Sequence, residues 1–596
     1  MKVYKSRSEV PDKYKWDLTA FFKDETEFKK VLKEYQDKVK KISEYVGCTK
    51  DADKLYEFIK YDEDVSTNVE NLLVYAYLVN DQELGVSKSQ ENKSSAEMLM
   101  AEYDASTSFF APELLKLSKE EYDKLFDKEE LKEYKNLLDR IYRNKEHILS
   151  ESEELIIAKL TSSMNHFDDM SANLLNGCHD YGKVTVDGEE IQLTSTNYSK
   201  LMKNDDREFR KNTREQYNNV LAQYGVMSAS FLNSFVKGES TTCEIKKYKS
   251  SWDAKLFSNN MSNKAYESLV KVVEDNVSSL QRYFKIFKEV HGLDKLYQYD
   301  LFLELAKSNK EYTVEEAQEL VFNAISVLGD EYKEKFKRIY DEHFIDYACY
   351  KGKTSGGYSC STSTTDSRIL MSFNEDLSSV STIAHEGGHN VHHQFVKDNN
   401  PIQYRNVSSL VSEVASLTNE CLLSSYIAEN AKTKEEKLAG LGNIIEVINS
   451  NLFGAVREAK IEQDFYKLVD EGGTITYDYM NDLTLKSLQK YYGNEVELDT
   501  LSPLSWIRRS HYYMFFYLYA YSICISVASN VASEILKGNK EMLDNYIKFL
   551  STGSDKWPIE AFKVLGVDVE SEDVYKKAID YYNSLLDEFD KIRNEE

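Results

Sequence analysis

Ser381-Thr382-Ile383-Ala384-His385-Glu386-Gly387-Gly388-His389 is the most informative stretch of the chain. Histidines at i and i+4 share one helical face about one turn apart, so both imidazoles can reach a single zinc ion. The glutamate one step after the first histidine is then placed to act on water as a general base. Histidine is scarce, 10 in 596 residues, which makes this spacing hard to reach by accident. The plain alternative is a surface helix with incidental histidines. Gly387 and Gly388 argue against it, because two interior glycines cost a helix roughly 1–2 kcal/mol. A site where backbone must approach metal or substrate has a reason to carry that cost.

Two ligands leave a catalytic zinc short of its usual three. A third histidine of the metzincin kind would stand six residues after His389, where the chain has Phe395, and His392 and His393 fall at other offsets. A glutamate on a later helix is the other standard solution. Residues 409–420 read as such a helix, with Glu413 and Glu420 two turns apart on one face. One can ligate while the other orients a ligating imidazole. Spacing alone does not choose between them.

Just before this segment, residues 351–367 are rich in glycine, serine and threonine, and Ile369-Leu370-Met371-Ser372-Phe373 follow. A flexible loop feeding a short apolar strand is expected, and the glycines do not match a phosphate-binding spacing. Farther out, Phe28, Val31, Leu32, Tyr35, Val39 and Ile42 recur at helical spacing, with Gly47 where a C-cap belongs. Similar patterns cover 70–81, 130–145, 206–237, 263–290, 314–340, 434–469 and 571–593. Alternation on either side of Asp187-Gly188 predicts a β-hairpin. A boundary near residue 200 would separate an N-terminal helical domain ending in that hairpin, 1–200, from a catalytic domain, 201–596.

Composition agrees with a helical reading. The chain has 5 prolines, where ordinary usage would supply roughly 30, and 43 tyrosines with 27 phenylalanines give bulk for a large core. A net charge of −26 repels phosphate backbones, so nucleic acid is not an expected partner. Seven cysteines without a C-x-x-C pair argue against a disulfide framework and for a reducing compartment. Met1 to Trp16 lacks the apolar core of a signal peptide. Residues 512–529 are apolar enough to suggest a membrane span, yet they hold five tyrosines and read as a buried aromatic helix. A cytoplasmic protein with no membrane partner is expected.

In sum these residues resemble oligoendopeptidase F, of the thimet-oligopeptidase group of zinc metallopeptidases. The resemblance takes in Tyr14-Lys15-Trp16-Asp17-Leu18, Val74-Tyr75-Ala76-Tyr77, Asn80-Asp81-Gln82 and the Asp187-Gly188 hairpin. It continues through Ser355-Gly356-Gly357-Tyr358, His511-Tyr512-Tyr513 and Phe516 to Tyr521. It implies a mainly α, large helical zincin-type metallopeptidase with a deep substrate cleft and a small β element beside the zinc helix. The implied activity is endopeptidic cleavage of oligopeptides by one Zn2+ per chain. By that pattern His385, His389 and Glu413 ligate the metal, Glu420 supports a ligand, and Glu386 is the base. His511, Tyr517, Tyr519 and Tyr521 are candidate donors to the developing oxyanion, although such aromatic density is usually core. Gly356, Gly357 and Tyr358 are candidates for binding substrate backbone, with the strand at 369–373 pairing with an extended peptide.

Two positions depart from the family pattern. Gly387 replaces a larger apolar residue, which would loosen the helix or widen the cleft. Asp366-Ser367-Arg368 stand where a proline is often found, which would make the loop more mobile. The rival readings are a zinc exopeptidase of carboxypeptidase or dipeptidyl type, and a non-catalytic peptide-binding helical protein. The intact Glu386 speaks against the second.

Overall fold

Apolar spacing without proline becomes helix over most of the chain. The structure, a computed structural model, describes residues 4–150, 153–154, 156–157, 166–186, 188–308, 310–354 and 356–595. Asp187 of the expected hairpin turn and Ser355 of the glycine loop lie outside these. The helix Glu25–Lys41 buries Phe28, Leu32, Tyr35 and Val39, and Asp24 caps it by accepting the N–H groups of Thr26 and Glu27. Gly47 takes a left-handed φ of 90° after it, a conformation that suits glycine. Several of the long periodic stretches are interrupted: 206–237 breaks at Tyr224, 263–290 at Asn276, 314–340 at Ser326–Gly329, and 434–469 carries a π-helical turn at Asn449–Gly454.

The chain groups into two compact units, each assembled from three segments. One comprises Met1–Ile148, Asn309–Tyr426 and Val531–Gly566; the other comprises Leu149–Ser308, Ile427–Asn530 and Val567–Glu596. This interleaved grouping by compactness is a different partition from a single cut near residue 200.

Sheets are small. In the second unit β1 (Lys183–Val186) pairs antiparallel with β2 (Glu189–Gln192), and β3 (Leu296–Tyr297) pairs parallel with β7 (Val496–Glu497). In the first unit β4 (Ile345–Asp346), β5 (Tyr358–Cys360) and β6 (Arg368–Leu370) form one sheet in the order β4-β6-β5. The strand expected at 369–373 is thus β6, shifted by one residue and shorter, and both of its edges are occupied. It cannot accept a substrate strand. Beyond it, the Met371 and Phe373 N–H groups bond to the carbonyls of Asp346 and Tyr347.

The first unit's core centres on α1 (Ala52–Gln82), where Leu55, Val65 and Leu72 pack with Phe28, Val39, Leu114 and Leu138. Its other principal helices are α2 (Asp330–Asp341), α3 (Leu377–Asn399) and the start of α4 (Ser409–Asn430). The two glycines of α3 are explained by these neighbours rather than by metal or substrate. A Cβ on Gly388 would stand 2.7 Å from the Ala415 carbonyl oxygen and 2.8 Å from Ser416 Cα, so α4 lies backbone against backbone on α3. A Cβ on Gly387 would stand 2.5 Å from Phe336 Cζ on α2. Phe336, fully buried, fills the space a larger residue would take, so Gly387 neither loosens the helix nor opens a cleft there.

In the second unit the principal helices used below are α5 (Ala455–Asp470) and α6 (Leu518–Leu536). No helix among the described residues is long and apolar enough to cross a membrane.

The contact at Gly388 makes a prediction. Backbone cannot yield as a side chain can, so Gly388→Ala should destabilise the protein by about 1–3 kcal/mol, seen as a lowered Tm. An unchanged Tm would show that α3 and α4 are not in this register.

Candidate active site

Asp376 caps α3 by accepting the Ser379 N–H at 2.8 Å, and two turns on the helix presents His385 and His389. Their rings lie 5.0 Å apart, turned 81° to each other. Glu413 reaches across from α4, its Oε2 3.5 Å from Nε2 of each histidine. The ligand atoms of the three all lie within 4.8 Å of one another, the one such group of His, Cys, Asp and Glu among the described residues. Two imidazoles and a carboxylate converging on one point are the donor set of a catalytic zinc, so these residues fit the ion the sequence implies.

Spacing left Glu413 and Glu420 as alternatives, and their positions differ in kind. Glu420 Oε1 bonds His385 Nδ1, the nitrogen turned away from Glu413. That bond fixes the ring and keeps Nε2 directed at the metal position. Ser416 Oγ donates to Glu413 Oε2 at 3.0 Å, steadying the carboxylate. Asn419 Nδ2 donates to the Ala384 carbonyl at 3.0 Å and its Oδ1 accepts from Tyr332 at 2.8 Å, locking α4 to α3 beside the ligands.

Electrostatics follow the geometry. Burial opposes charge on His385, but Glu420 above all, with Glu386 and Glu413, pushes its pKa up to about 9. Burial works against the Glu413 carboxylate too, yet His389 and His385 bring it down to about 2. Glu386, only 7 % exposed, has its pKa raised by burial against the pull of His385 and His389. His392 and His393, farther along α3, are buried and held neutral by desolvation, down to about 3 and about 4.

The loop expected to be flexible is anchored on either side of Ser355. Buried Lys353 directs its Nζ at Asp346 Oδ1 (2.7 Å) and at the carbonyls of Asp346, Ala348 and Met371. Tyr358 donates its hydroxyl to Asp81 at 2.8 Å, the Thr354 N–H bonds the Asp81 carbonyl, and the Leu84 N–H bonds that of Gly352. Gly356 has a φ of 95°. A Cβ on Gly357 would lie 3.0 Å from Thr382 Cγ2 and 3.9 Å from Glu386 Oε1, so this loop runs against α3. Asp366-Ser367-Arg368 is fixed as well: Asp366 pairs with Arg338 at 2.9 Å and with Lys397, and Arg368 Nε donates to the Asp17 carbonyl at 2.6 Å.

In the second unit His511, Tyr517 and Tyr521 form a ring cluster, with centroids 6.3 Å and 6.1 Å from the histidine and 5.3 Å between the tyrosines. Tyr519 is not part of it. It is buried, accepts from Asn259 at 2.7 Å and packs on Trp252 and Tyr266, the setting of a core residue. The intervening backbone is strained, with Phe515 and Phe516 at φ of 32° and 53°. Buried glutamates one turn apart on α5 brace it: Glu458 accepts from Tyr512 at 2.5 Å and Glu462 from the Phe516 N–H at 2.7 Å. Burial and neighbouring Arg509 lower the His511 pKa, so its ring is neutral and keeps one N–H donor.

Lys353, Glu458 and Glu462 were not singled out from sequence. Each is an ordinary charged residue on a helix or loop, and only its long-range partner gives it a role.

The profile of peptidase family M3 matches residues 200–581, and that of oligopeptidase F matches residues 113–178. "Oligopeptidase PepF" of Bacillus subtilis is 30% identical over 590 residues, 98% of this chain and 88% of that protein. "Group B oligopeptidase PepB" of Streptococcus agalactiae is 29% identical over 98% of each chain. Among solved structures, "Crystal structure of putative peptidase from Chlamydophila abortus" superposes with a TM-score of 0.88 at 26% identity, covering 99% of this chain and 100% of that one. Oligoendopeptidase-F from Enterococcus faecium gives 0.76 at 26% identity, covering 96% and 100%.

Metal content tests the site. The purified protein should carry one zinc per chain, and His385→Ala or His389→Ala should each lose it. Stoichiometric zinc retained in both variants would refute this ligand set. If Glu420→Gln strips the metal while Glu413→Gln does not, the two glutamates have been exchanged.

Proposed function

Because this chain belongs to peptidase family M3, and is a metalloendopeptidase acting on peptides, we propose that it cleaves internal bonds of short peptides with one zinc ion held by His385, His389 and Glu413. The carrying observation is Glu413 Oε2 at 3.5 Å from both imidazoles, with Glu386 on the same helix. Zinc held there supplies Lewis acidity, polarising the scissile carbonyl and lowering the pKa of water toward about 7. Glu386 takes a proton from the attacking water and delivers it to the leaving amine. Its carboxyl pKa, raised by burial, moves toward the operating pH where a general base works best. Glu420 holds His385 through Nδ1, leaving Nε2 as the donor atom. His511, neutral and with Tyr517 and Tyr521 beside it in the second unit, is the oxyanion donor that the family resemblance implies.

Substrate is held in an enclosed cleft by Gly356, Gly357, Tyr358 and the sheet. Since β6 is central, the edge left open among the described residues is that of β5, whose outer N–H and C=O groups pair with an extended peptide. All seven cysteines are free, in keeping with a reducing compartment such as the cytoplasm.

Two sets of measurements test this reading. Glu386→Gln should keep its zinc and lose about 10²–10⁴-fold in kcat, whereas Glu420→Gln should lose only on the order of 10–100-fold. Near-normal turnover by Glu386→Gln would place the base elsewhere.

Peptides of roughly five to twenty residues should be cut internally, including ones blocked at both ends; the lower bound reflects about 3.3 Å per extended residue on each side of the metal. Mass spectrometry of a digested peptide pool reads this directly. Rapid fragmentation of casein, or release strictly from one free end, would defeat the endopeptidase reading and favour the exopeptidase one.

A further inference from the structure

Beside the aromatic cluster lies a cavity of about 840 Å³ with His511 and Tyr521 on its wall. Arg457, Glu458 and Arg509 line it too, and their charges do not balance. The single buried carboxylate of Glu458 serves three groups: Arg457 Nη2 at 2.5 Å, the Tyr512 hydroxyl at 2.5 Å, and Arg509 Nη2 at 3.5 Å. Arg457 also donates to Tyr492 at 3.1 Å, so most of its guanidinium is spoken for. Arg509 is the loose member. Its side chain is 36 % exposed, its distance to Glu458 is too long for a good hydrogen bond, and its guanidinium makes no hydrogen bond among the described residues.

The other charged groups of the cavity are directed elsewhere: Lys203 and Glu304 pair with each other at 3.1 Å, and the Glu446 carboxyl, its pKa pushed up to about 7 by burial, accepts the Leu305 N–H. In a chain of net charge −26, an arginine at a cavity wall with its donors open stands out. A guanidinium with open donors matches a carboxylate, which it can bind through two parallel N–H groups. Arg509 also stands two residues before His511 on the same braced segment, so a group bound by it is fixed relative to His511.

We propose that Arg509 is a specificity-determining residue that selects peptides carrying a carboxylate, drawn into this cavity beside His511. The inference rests on the peptidase reading above, since it takes the cavity to receive part of the substrate. The carboxylate has two possible sources, an Asp or Glu side chain or the peptide's own C-terminus.

The test uses the full zinc-loaded chain and two peptide series of equal length. One is blocked at both ends and carries Glu or Gln at each position in turn; the other is neutral and ends in a free acid or an amide. A charge-assisted hydrogen bond of this kind corresponds to a preference of roughly 10–100-fold in kcat/KM. We expect that preference for Glu over Gln at one position, or for free acid over amide, and its collapse toward unity in Arg509→Met. Arg509→Lys, which keeps charge without the planar fork, should retain part of it. Circular dichroism and zinc content check that the variants are folded. The series showing the preference identifies the carboxylate. No preference in either series, or a preference that survives Arg509→Met, overturns the proposal. Hydrolysis of the Gln peptides by the unaltered protein would then leave the peptidase reading standing, whereas no hydrolysis of any peptide would remove that reading itself.

Discussion

The close approach of α3 and α4 at Gly388 is the contact on which the metal site depends. His385 and His389 come from one helix and Glu413 from the other, and a glutamate side chain is too short to bridge helices held apart by ordinary side chains. With no Cβ at Gly388, the backbone at Ala415 and Ser416 packs directly on α3. The consequences run along one stripe of α4. Glu413, Ser416 and Glu420, at i, i+3 and i+7, face the same way, and each acts on the site: one carboxylate between two imidazoles, one hydroxyl steadying it, one carboxylate behind His385. The Asn419–Ala384 bond then resists sliding of one helix along the other.

This explains which parts of the site were legible in the sequence. Histidines at i and i+4 with an adjacent glutamate are visible because helix geometry alone dictates their relation. Glu413 and Glu420 could be paired to the site but not told apart, because both lie on the facing stripe and the distinction arises only from where α4 crosses α3. The glycines were noticed for the right reason, since an interior glycine is costly, but given the wrong partner. Gly388 admits a helix backbone and Gly387 admits Phe336, and neither neighbour is near in sequence.

Composition is silent on the anchors of the glycine-rich loop at Lys353 and Tyr358. Gly, Ser and Thr set backbone entropy, which is a property of the unanchored chain. What they do not report is an anchor elsewhere. Lys353 is one residue in a polar stretch, yet its ammonium is buried on one carboxylate and three carbonyls, and Asp81 reaches the same loop from α1. A buried lysine left without those acceptors would be far costlier than the entropy of the loop, so the chain is anchored at Lys353. The same holds for Asp366 and Arg368, whose partners offset the absence of proline's intrinsic stiffness.

In the second unit the aromatic segment shows how strain and charge are kept apart. Left-handed conformations at Phe515 and Phe516 cost of order 1–3 kcal/mol each, and packing of Phe516 on Tyr466 and Trp252, at 4.4 Å and 4.9 Å, helps offset that. The backbone brace comes from Glu462, whose carboxyl burial pushes up to about 8. A neutral carboxyl accepts the Phe516 N–H without placing an uncompensated charge beneath a strained turn. One helical turn earlier Glu458 meets the opposite condition: burial opposes its charge, but Arg509 and Arg457 bring it down to about 2. Neighbours on one helix face are thus driven to different protonation states by what stands against them. The ionised one binds arginines at the cavity wall, and the neutral one holds the turn that presents His511. Had both been ionised, Glu462 would repel the carboxylate on which the arginine pair depends; had both been neutral, Arg457 would be buried without a counter-charge.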